Sequence, residues 1–473
     1  MENPALTEAE QRAVISKVTW RLVPLLFFCY IIAYIDRINV GFAKSHLEPV
    51  LGVDPKIFGE VFGTGAGLFF IGYSIFEVPS NLALQKFGAR IWIARIMILW
   101  GIVSMGFMFL DKAGSMGGDK LAAGGAAVGR IFQFPETDSP GAYLFYIMRF
   151  LLGAAEAGFF PGVILYLTYW YPAKERAKTV ALFALGGIAA GVIGSPISGA
   201  LLHMDGLMGI AGWKWLFFLE ALPAIVMGLV ILFILPNGPG DARWLSPREK
   251  GWLLAKLGNE AKNDSGGKEK RLRDAFTSGR VWLLCLLYFL VNVAGYGYEF
   301  WLPSITKRLS GGGDFMVGLI NMVPYIVAGI AMTMVGRFSD RTGERKGFVA
   351  GAGLVAAIGF AGAAFAQSPW LAMLGLVIAL AGQKSTLGPF WALGTSYLSG
   401  TAAAGGIALI NSVGNLGGYF GPKLVGKIKD ATGSETTALL YLGGALLFLS
   451  VVALFLPSTR PATAPVALRS DAD

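Results

Sequence analysis

Charge is scarce in this chain. Lys, Arg, Asp and Glu make up 15% of its 473 residues, against about 25% in soluble domains. Cysteine is limited to Cys29 and Cys285, and histidine to His46 and His203. Two cysteines far apart in apolar surroundings give neither a disulfide framework nor a zinc pattern; both read as small buried hydrophobes. The isolated histidines offer no metal cluster. Neither a G-x-x-x-x-G-K-[ST] phosphate loop nor a nucleotide fingerprint occurs, which argues against ATP-driven chemistry by this chain alone. Met1–Lys17 is polar and of mixed charge, without the apolar core of a cleaved signal peptide, so the first apolar stretch is expected to direct insertion itself.

What the chain has instead is apolar length. Hydrophobic residues reach 55%, and a helix needs about 20 of them to cross a hydrocarbon core of about 30 Å. About a dozen such stretches occur. The fold expected is therefore an all-α membrane protein of 12 transmembrane helices in two six-helix bundles. A cytoplasmic tail (1–19) leads into a first bundle (20–235), a cytoplasmic linker (236–280), a second bundle (281–457) and a tail (458–473). The linker breaks the hydrophobic pattern with Pro236, Pro239 and Pro247, a charged run from Arg248 to Lys262, and Asp264-Ser265-Gly266-Gly267. The long 111–142 segment reads as an outer loop.

The net charge of +9 gathers in alternate loops: Lys86 and Arg90; Lys174, Arg176 and Lys178; Arg243 through Arg280; Arg337, Arg341, Arg345 and Lys346. That alternation is the positive-inside pattern, placing both termini in the cytoplasm, and it argues against a nucleic-acid partner. An internal echo supports duplication: Lys86, Gly88 and Arg90 after the second span match Arg341, Gly343 and Arg345 after the eighth.

Within the apolar stretches a few charges stand out. Asp36–Arg37 lies in the first, and each such charge costs about 2.5–3.5 kcal/mol on insertion scales, so intramembrane charges face protein or water and mark function. Arg149 and Glu156 are seven residues apart, hence on one helix side about 10 Å apart. Arg37 is the best anion anchor, because its planar fork binds carboxylates bidentately and stays charged. Asp36 and Glu156 are the best proton carriers; the competing reading makes them counter-ions of Arg37 and Arg149 in a helix-holding network. Lys384, mid-span and seven before Trp391, either binds a second substrate carboxylate or pairs with Glu299. Glu77 reads as structural or gating, and Glu220 as interfacial. Tyr34, Tyr73, Tyr288, Asn292, Tyr296, Trp391, Asn411 and Asn415 fall on the expected inward helices and would line a pocket for a small polar anion.

Gly336-Arg337-Phe338-Ser339-Asp340-Arg341-Thr342-Gly343-Glu344-Arg345-Lys346 resembles the cytoplasmic gating motif of the major facilitator superfamily. The first-half copy departs from it, with Gln85 at the Asp position. Three further stretches resemble the anion:cation symporter family within that superfamily: Tyr34–Ala43, Phe76-Glu77-Val78-Pro79-Ser80-Asn81, and Arg149–Gly162. Gly388-Pro389-Phe390-Trp391-Ala392 completes the set. The resemblance implies a monomeric, multi-pass transporter of the bacterial inner membrane, not an enzyme. It implies proton-coupled uptake of a small organic carboxylate (a sugar acid, a tartrate-like dicarboxylate or an aromatic acid) by alternating access, with no cofactor beyond the coupling proton. By the same resemblance Arg37 binds substrate, Asp36 and Glu156 carry protons, and Tyr34, Tyr73, Trp391 and Asn411 line the pocket. A pocket glutamine of some sugar-acid members is replaced by Gly187, which favours a bulkier or less hydroxylated acid. Exchange or efflux is the alternative direction of transport, and a non-transporting carboxylate sensor the alternative class.

Overall fold

Within hydrocarbon a backbone satisfies its own N–H and C=O groups as helix or closed barrel, and the long apolar stretches fold as helices. The computed structural model describes residues 6–115, 134–264, 277–397 and 401–457, with a few positions between 117 and 129. Among them no strand occurs. The tail 458–473, the first five residues, linker positions 265–276 and much of the expected 111–142 loop lie outside the described residues.

The first half comprises α1 (Glu8–Leu51), α2 (Phe58–Phe87), α3 (Ala89–Gly106, continued by a 3-10 turn to Lys112), α4 (Pro140–Glu156), α5 (Phe159–Thr168), α6 (Ala173–Ala184), α7 (Gly186–Leu202) and α8 (Gly212–Ile234). The linker carries α9 (Pro247–Asp264). The second half comprises α10 (Gly279–Glu299), α11 (Leu302–Ser310), α12 (Asp314–Thr342), α13 (Lys346–Phe365), α14 (Pro369–Ser385), α15 (Leu387–Tyr397), α16 (Thr401–Asn415), α17 (Gly417–Thr432) and α18 (Glu435–Leu454). Several are consecutive pieces of one crossing: α4 with α5, α6 with α7, α10 with α11, α14 with α15, and α16 with α17. That makes six crossings before the linker and six after. Eleven are long and apolar enough to span a membrane on length and composition; the remaining one, 401–432, is broken at Leu416 into two shorter helices.

The first helix begins earlier than the hydrophobic pattern indicates. Thr7 accepts from the Glu10 backbone at 3.3 Å while the Glu10 carboxylate accepts from the Thr7 N–H at 2.7 Å. This reciprocal cap starts the helix at Glu8, so most of the expected 1–19 tail is helical. Lys17 then pairs with Glu249 of α9 at 3.0 Å, and Arg248 with Glu10 at 3.3 Å, fixing the linker helix beside the start of α1. That end of the protein is called the linker end below, and the opposite one the far end.

Helices approach closely where small residues allow it. A side chain at Gly153 of α4 would overlap the Phe69 carbonyl of α2, and one at Gly375 of α14 would strike Ala363 and Gly359 of α13. The two halves meet most closely toward the far end. Asp430 of α17 accepts from the N–H groups of Gly59 and Glu60, at 3.2 and 2.7 Å, capping the exposed start of α2. His46 and Lys307 both reach Asp314, at 3.1 and 2.7 Å. Lys44 is buried over the Trp301 ring.

Candidate functional site

Adjacent helical residues point about 100° apart, so Asp36 and Arg37 serve different neighbourhoods. Arg37 enters the space between the halves. Its Nη2 pairs with Glu156 Oε1 of α4, and its Nη1 donates to the Tyr296 hydroxyl of α10 at 3.2 Å. The guanidinium sits over the rings of Phe69, Tyr73 and Tyr34, 5.1, 5.6 and 5.8 Å from their centroids. Its Nε has no partner among the described residues.

One turn earlier on α1, Tyr34 reaches the other half. Its hydroxyl lies 3.0 and 2.9 Å from the two Glu299 oxygens and accepts from Lys384 Nζ at 3.1 Å. Lys384 closes the triangle with an ion pair to Glu299 at 2.6 Å. Of the two readings open for Lys384, the pairing with Glu299 is the arrangement present.

These charges gather where crossings break. Glu156 is the last residue of α4 and Glu299 the last of α10, while Lys384 is next to last in α14. The first break follows from Gly158, whose φ of +85° suits glycine alone and which lies hard against Ser80. A carboxylate at the C-terminal end of a helix meets the negative end of its dipole and needs a cation nearby; Arg37 and Lys384 provide one each. Discontinuous helices with charged groups at the break are how transporters build central binding sites.

Asp36 faces away from this cluster. It accepts from Ser104 of α3 and, at 3.2 Å, from the Asn39 amide. Its Oδ2 is buried without a hydrogen-bond partner, and it makes no ion pair within 4 Å among the described residues, Arg149 being the cation whose charge it feels. Arg149 makes no ion pair among the described residues. It donates to the Ala66 carbonyl at 2.9 Å and shares the Phe69 ring with Arg37, 5.2 Å from the centroid.

The remaining pocket residues divide. Tyr73 is buried under Arg37, and Tyr296 is its hydrogen-bond partner. Trp391 packs edge-on against Tyr288 at 5.1 Å and Phe390 at 5.4 Å. Asn292 is committed to the Gly414 carbonyl at 3.0 Å, tying α10 to α16. Asn411 donates to Glu77 Oε1 at 2.6 Å, crossing between halves on the linker side. A Cβ at Gly187 would stand 3.4 Å from the Tyr34 ring, so this residue borders the cluster. In the gating motif, Arg345 holds Asp340 at 2.6 Å and Ser339 at 3.1 Å, and Gly343 turns the chain at φ +69°. Arg341 is exposed. Lys346, the last residue of the motif, donates to the Leu456 carbonyl beyond α18 at 3.3 Å.

Sequence reasoning missed Ser104, Asn39 and Ser198. It also misplaced Glu220, which is buried rather than interfacial and accepts from Ser198 at 2.6 Å. His46 likewise is not isolated but pairs with Asp314. The available signal was Asn39 at i+3 from Asp36, one helical face.

The Major Facilitator Superfamily profile matches residues 26–422 and 311–471. A protein of Agrobacterium vitis named "Putative tartrate transporter" is 44% identical over 460 residues, covering 97% of this chain and 95% of its own. The "Quinolone resistance transporter" of Acinetobacter baumannii is 39% identical, covering 93% of each. The Inner membrane transport protein RhmT of Escherichia coli is 36% identical over 93% of this chain and 94% of its own. In fold, the inward open xylose transporter XylE of E. coli superposes with a TM-score of 0.72 at 15% identity, covering 94% and 97% of the two chains. With this match over most of its length, the chain belongs to the Major Facilitator Superfamily and is a membrane-spanning transporter, not an enzyme.

Proposed function

We propose that this transporter carries a small organic carboxylate inward across the bacterial inner membrane, coupled to protons, with both termini cytoplasmic. The observation that carries the reading is the engagement of Arg37. Its guanidinium sits in an aromatic cage between the halves and is held by a carboxylate of the protein itself, Glu156. A substrate carboxylate takes that same place once Glu156 accepts a proton, and Asp36, buried with a free oxygen, accepts a second. Loss of the proton from Glu156 restores the internal pair and expels the anion. The halves rock around this site, exposing it to each face in turn. Each net positive charge moved inward gains about 2.3 kcal/mol per 100 mV, so more protons than substrate charges makes accumulation electrogenic.

Within carboxylates a tartrate-like diacid is favoured. Arg37 and Lys384 both lie within 6 Å of the Tyr34 ring centroid, at 5.8 and 5.6 Å, so two cations flank one ring. The tartrate name of the 44% identical relative points the same way. The quinolone-resistance name of another relative favours efflux as the second reading.

Thermal unfolding of detergent-purified protein against sugar acids, tartrate-like diacids and aromatic acids tests the substrate class. A ligand at 100 times its Kd stabilises by about 2.7 kcal/mol. Stabilisation by diacids, lost in R37A, is the expected result. Stabilisation by quinolones and by no carboxylate overturns the reading.

A further inference from the structure

Glu220 belongs to none of the pairs above, yet a carboxyl group so deep in an apolar helix is costly without a purpose. It lies on α8, eight residues in from the far end of that helix. It is 6% exposed; Ser198 of α7 donates to its Oε1 at 2.6 Å, and its Oε2 is buried without a partner. The link to Asp36 is Asn39, whose amide donates to Asp36 Oδ1 at 3.2 Å and whose side chain also faces the Glu220 carboxyl. Ser104 completes the line on the other side of Asp36. The result is a row of polar side chains from α3, α1, α8 and α7: Ser104, Asp36, Asn39, Glu220 and Ser198, hydrogen-bonded from Ser104 to Asn39 and from Glu220 to Ser198. Each of its two carboxylates has one orphaned oxygen.

The row has a direction. Asn39 is one helical turn beyond Asp36 toward the far end of α1, and Ser198 is four residues from the end of α7. Glu220 and Ser198 therefore lie between Asp36 and the face that the proposed orientation makes external. We propose that Glu220 is a proton-relay residue, taking protons from the outer face and passing them to Asp36; this rests on the proton-coupled reading above. A proton arriving from external water binds Glu220 Oε2, giving a neutral carboxyl. It then leaves to Asp36 Oδ2, with water as carrier where the two oxygens do not touch, and Glu220 returns to the carboxylate. Asn39 holds the two groups in register and transfers nothing itself.

The surroundings suit this role. α1 brings Asp36, with Arg149 of α4 beyond it. Among the described residues α7 contributes the Ser198 hydroxyl at the carboxyl and α3 contributes Ser104 at Asp36, while Glu156 of α4 is the carboxylate facing Asp36 beside Arg149. At the far end of α8, Lys214 is already paired with Asp111 at 2.6 Å. No cation pairs with Glu220 among the described residues, so nothing locks it as a permanent anion.

Glu220→Gln is informative because the amide oxygen still accepts from Ser198, which preserves the structural contact while removing the titrating group. In proteoliposomes with an acid exterior, E220Q should take up labelled tartrate, or the carboxylate that stabilises the wild type, at least fivefold more slowly. Exchange of internal for external substrate at equal pH, which needs no net proton delivery, should stay within twofold of wild type, and E220D should recover most of the gradient-driven rate. If the wild type ignores the gradient, proton coupling itself is wrong and the relay falls with it. If the wild type responds and E220Q matches it at every external pH, the relay alone is wrong. Loss of exchange together with the ligand-induced thermal shift assigns Glu220 a structural role and also overturns the proposal. Should E220Q fail to accumulate in the membrane, N39L severs the same row: slowed gradient-driven uptake upholds the relay, and a wild-type rate refutes it.

Discussion

Lys384 and Glu299 form an ion pair inside the second half, and the tyrosine that touches both, Tyr34, comes from the first. The first half mirrors this with charges reversed: Arg37 pairs with Glu156, and Tyr296 of the second half donates no charge but meets Arg37 at 3.2 Å. The pairs occupy corresponding crossings, the first and fourth of each half. In each half one buried ion pair thus closes within the half, while a tyrosine hydroxyl from the other half touches it across the divide. Such cross-contacts give up little charge when the halves separate, which suits a rocking carrier.

Breaking one buried pair while leaving its partner charged costs about 3–5 kcal/mol, whereas removing both charges costs much less. E299Q should therefore lower the melting temperature well below wild type, and K384Q/E299Q should recover most of the loss. Circular dichroism melts of the purified variants check this; an E299Q melt equal to wild type would show that the pair contributes nothing to holding the second half.

Arg37→Lys keeps the charge but loses the planar fork, so it is not conservative at a carboxylate site. A tenfold or greater rise in apparent Kd for the stabilising acid is expected, equivalent to about 1.4 kcal/mol. Isothermal titration measures it, and an unchanged Kd in R37K would remove Arg37 as the anchor.

Asp36→Asn should abolish accumulation against a gradient while leaving substrate exchange, because Asp36 makes no hydrogen bond with the Arg37 cage and, among the described residues, accepts from Ser104 and Asn39. Concentrative uptake retained by D36N would remove its proton role.

The fold was legible because hydropathy adds along the chain: twelve long apolar stretches leave few alternatives, and alternate basic loops order them. Hydropathy does not reveal faces or partners. Glu220 reads as interfacial from the sequence, but the packing of α8 against α3, α1 and α7 turns it inward. The Tyr34–Glu299 and Tyr34–Lys384 contacts join residues 265 and 350 positions apart, a separation at which local pattern carries no information. Residues 8–19 are too polar to score as a span, although Thr7 and Glu10 spell a helix start. The roles assigned to the site residues came from their type and from family resemblance; the structure adds only their partners.

Closure at the far end has its own test. Asp430 caps α2 from the opposite half, and losing such a cap costs about 1 kcal/mol, roughly fivefold in the ratio of open to closed forms. Because Cys29 and Cys285 are buried, a cysteine at Lys44, buried against Trp301, reports opening cleanly. K44C should react several-fold faster with a water-soluble maleimide when combined with D430A, and equal rates would place the far-end closure elsewhere.

The central claim is that protons drive a carboxylate inward through Arg37. The most direct measurement is uptake of labelled tartrate into proteoliposomes holding no internal substrate, with the exterior acidified. Accumulation above the external concentration, collapsed by a protonophore and absent in R37K, is the predicted result. Uptake that only equilibrates, or that requires internal counter-substrate whatever the gradient, would contradict the account and make the protein an exchanger.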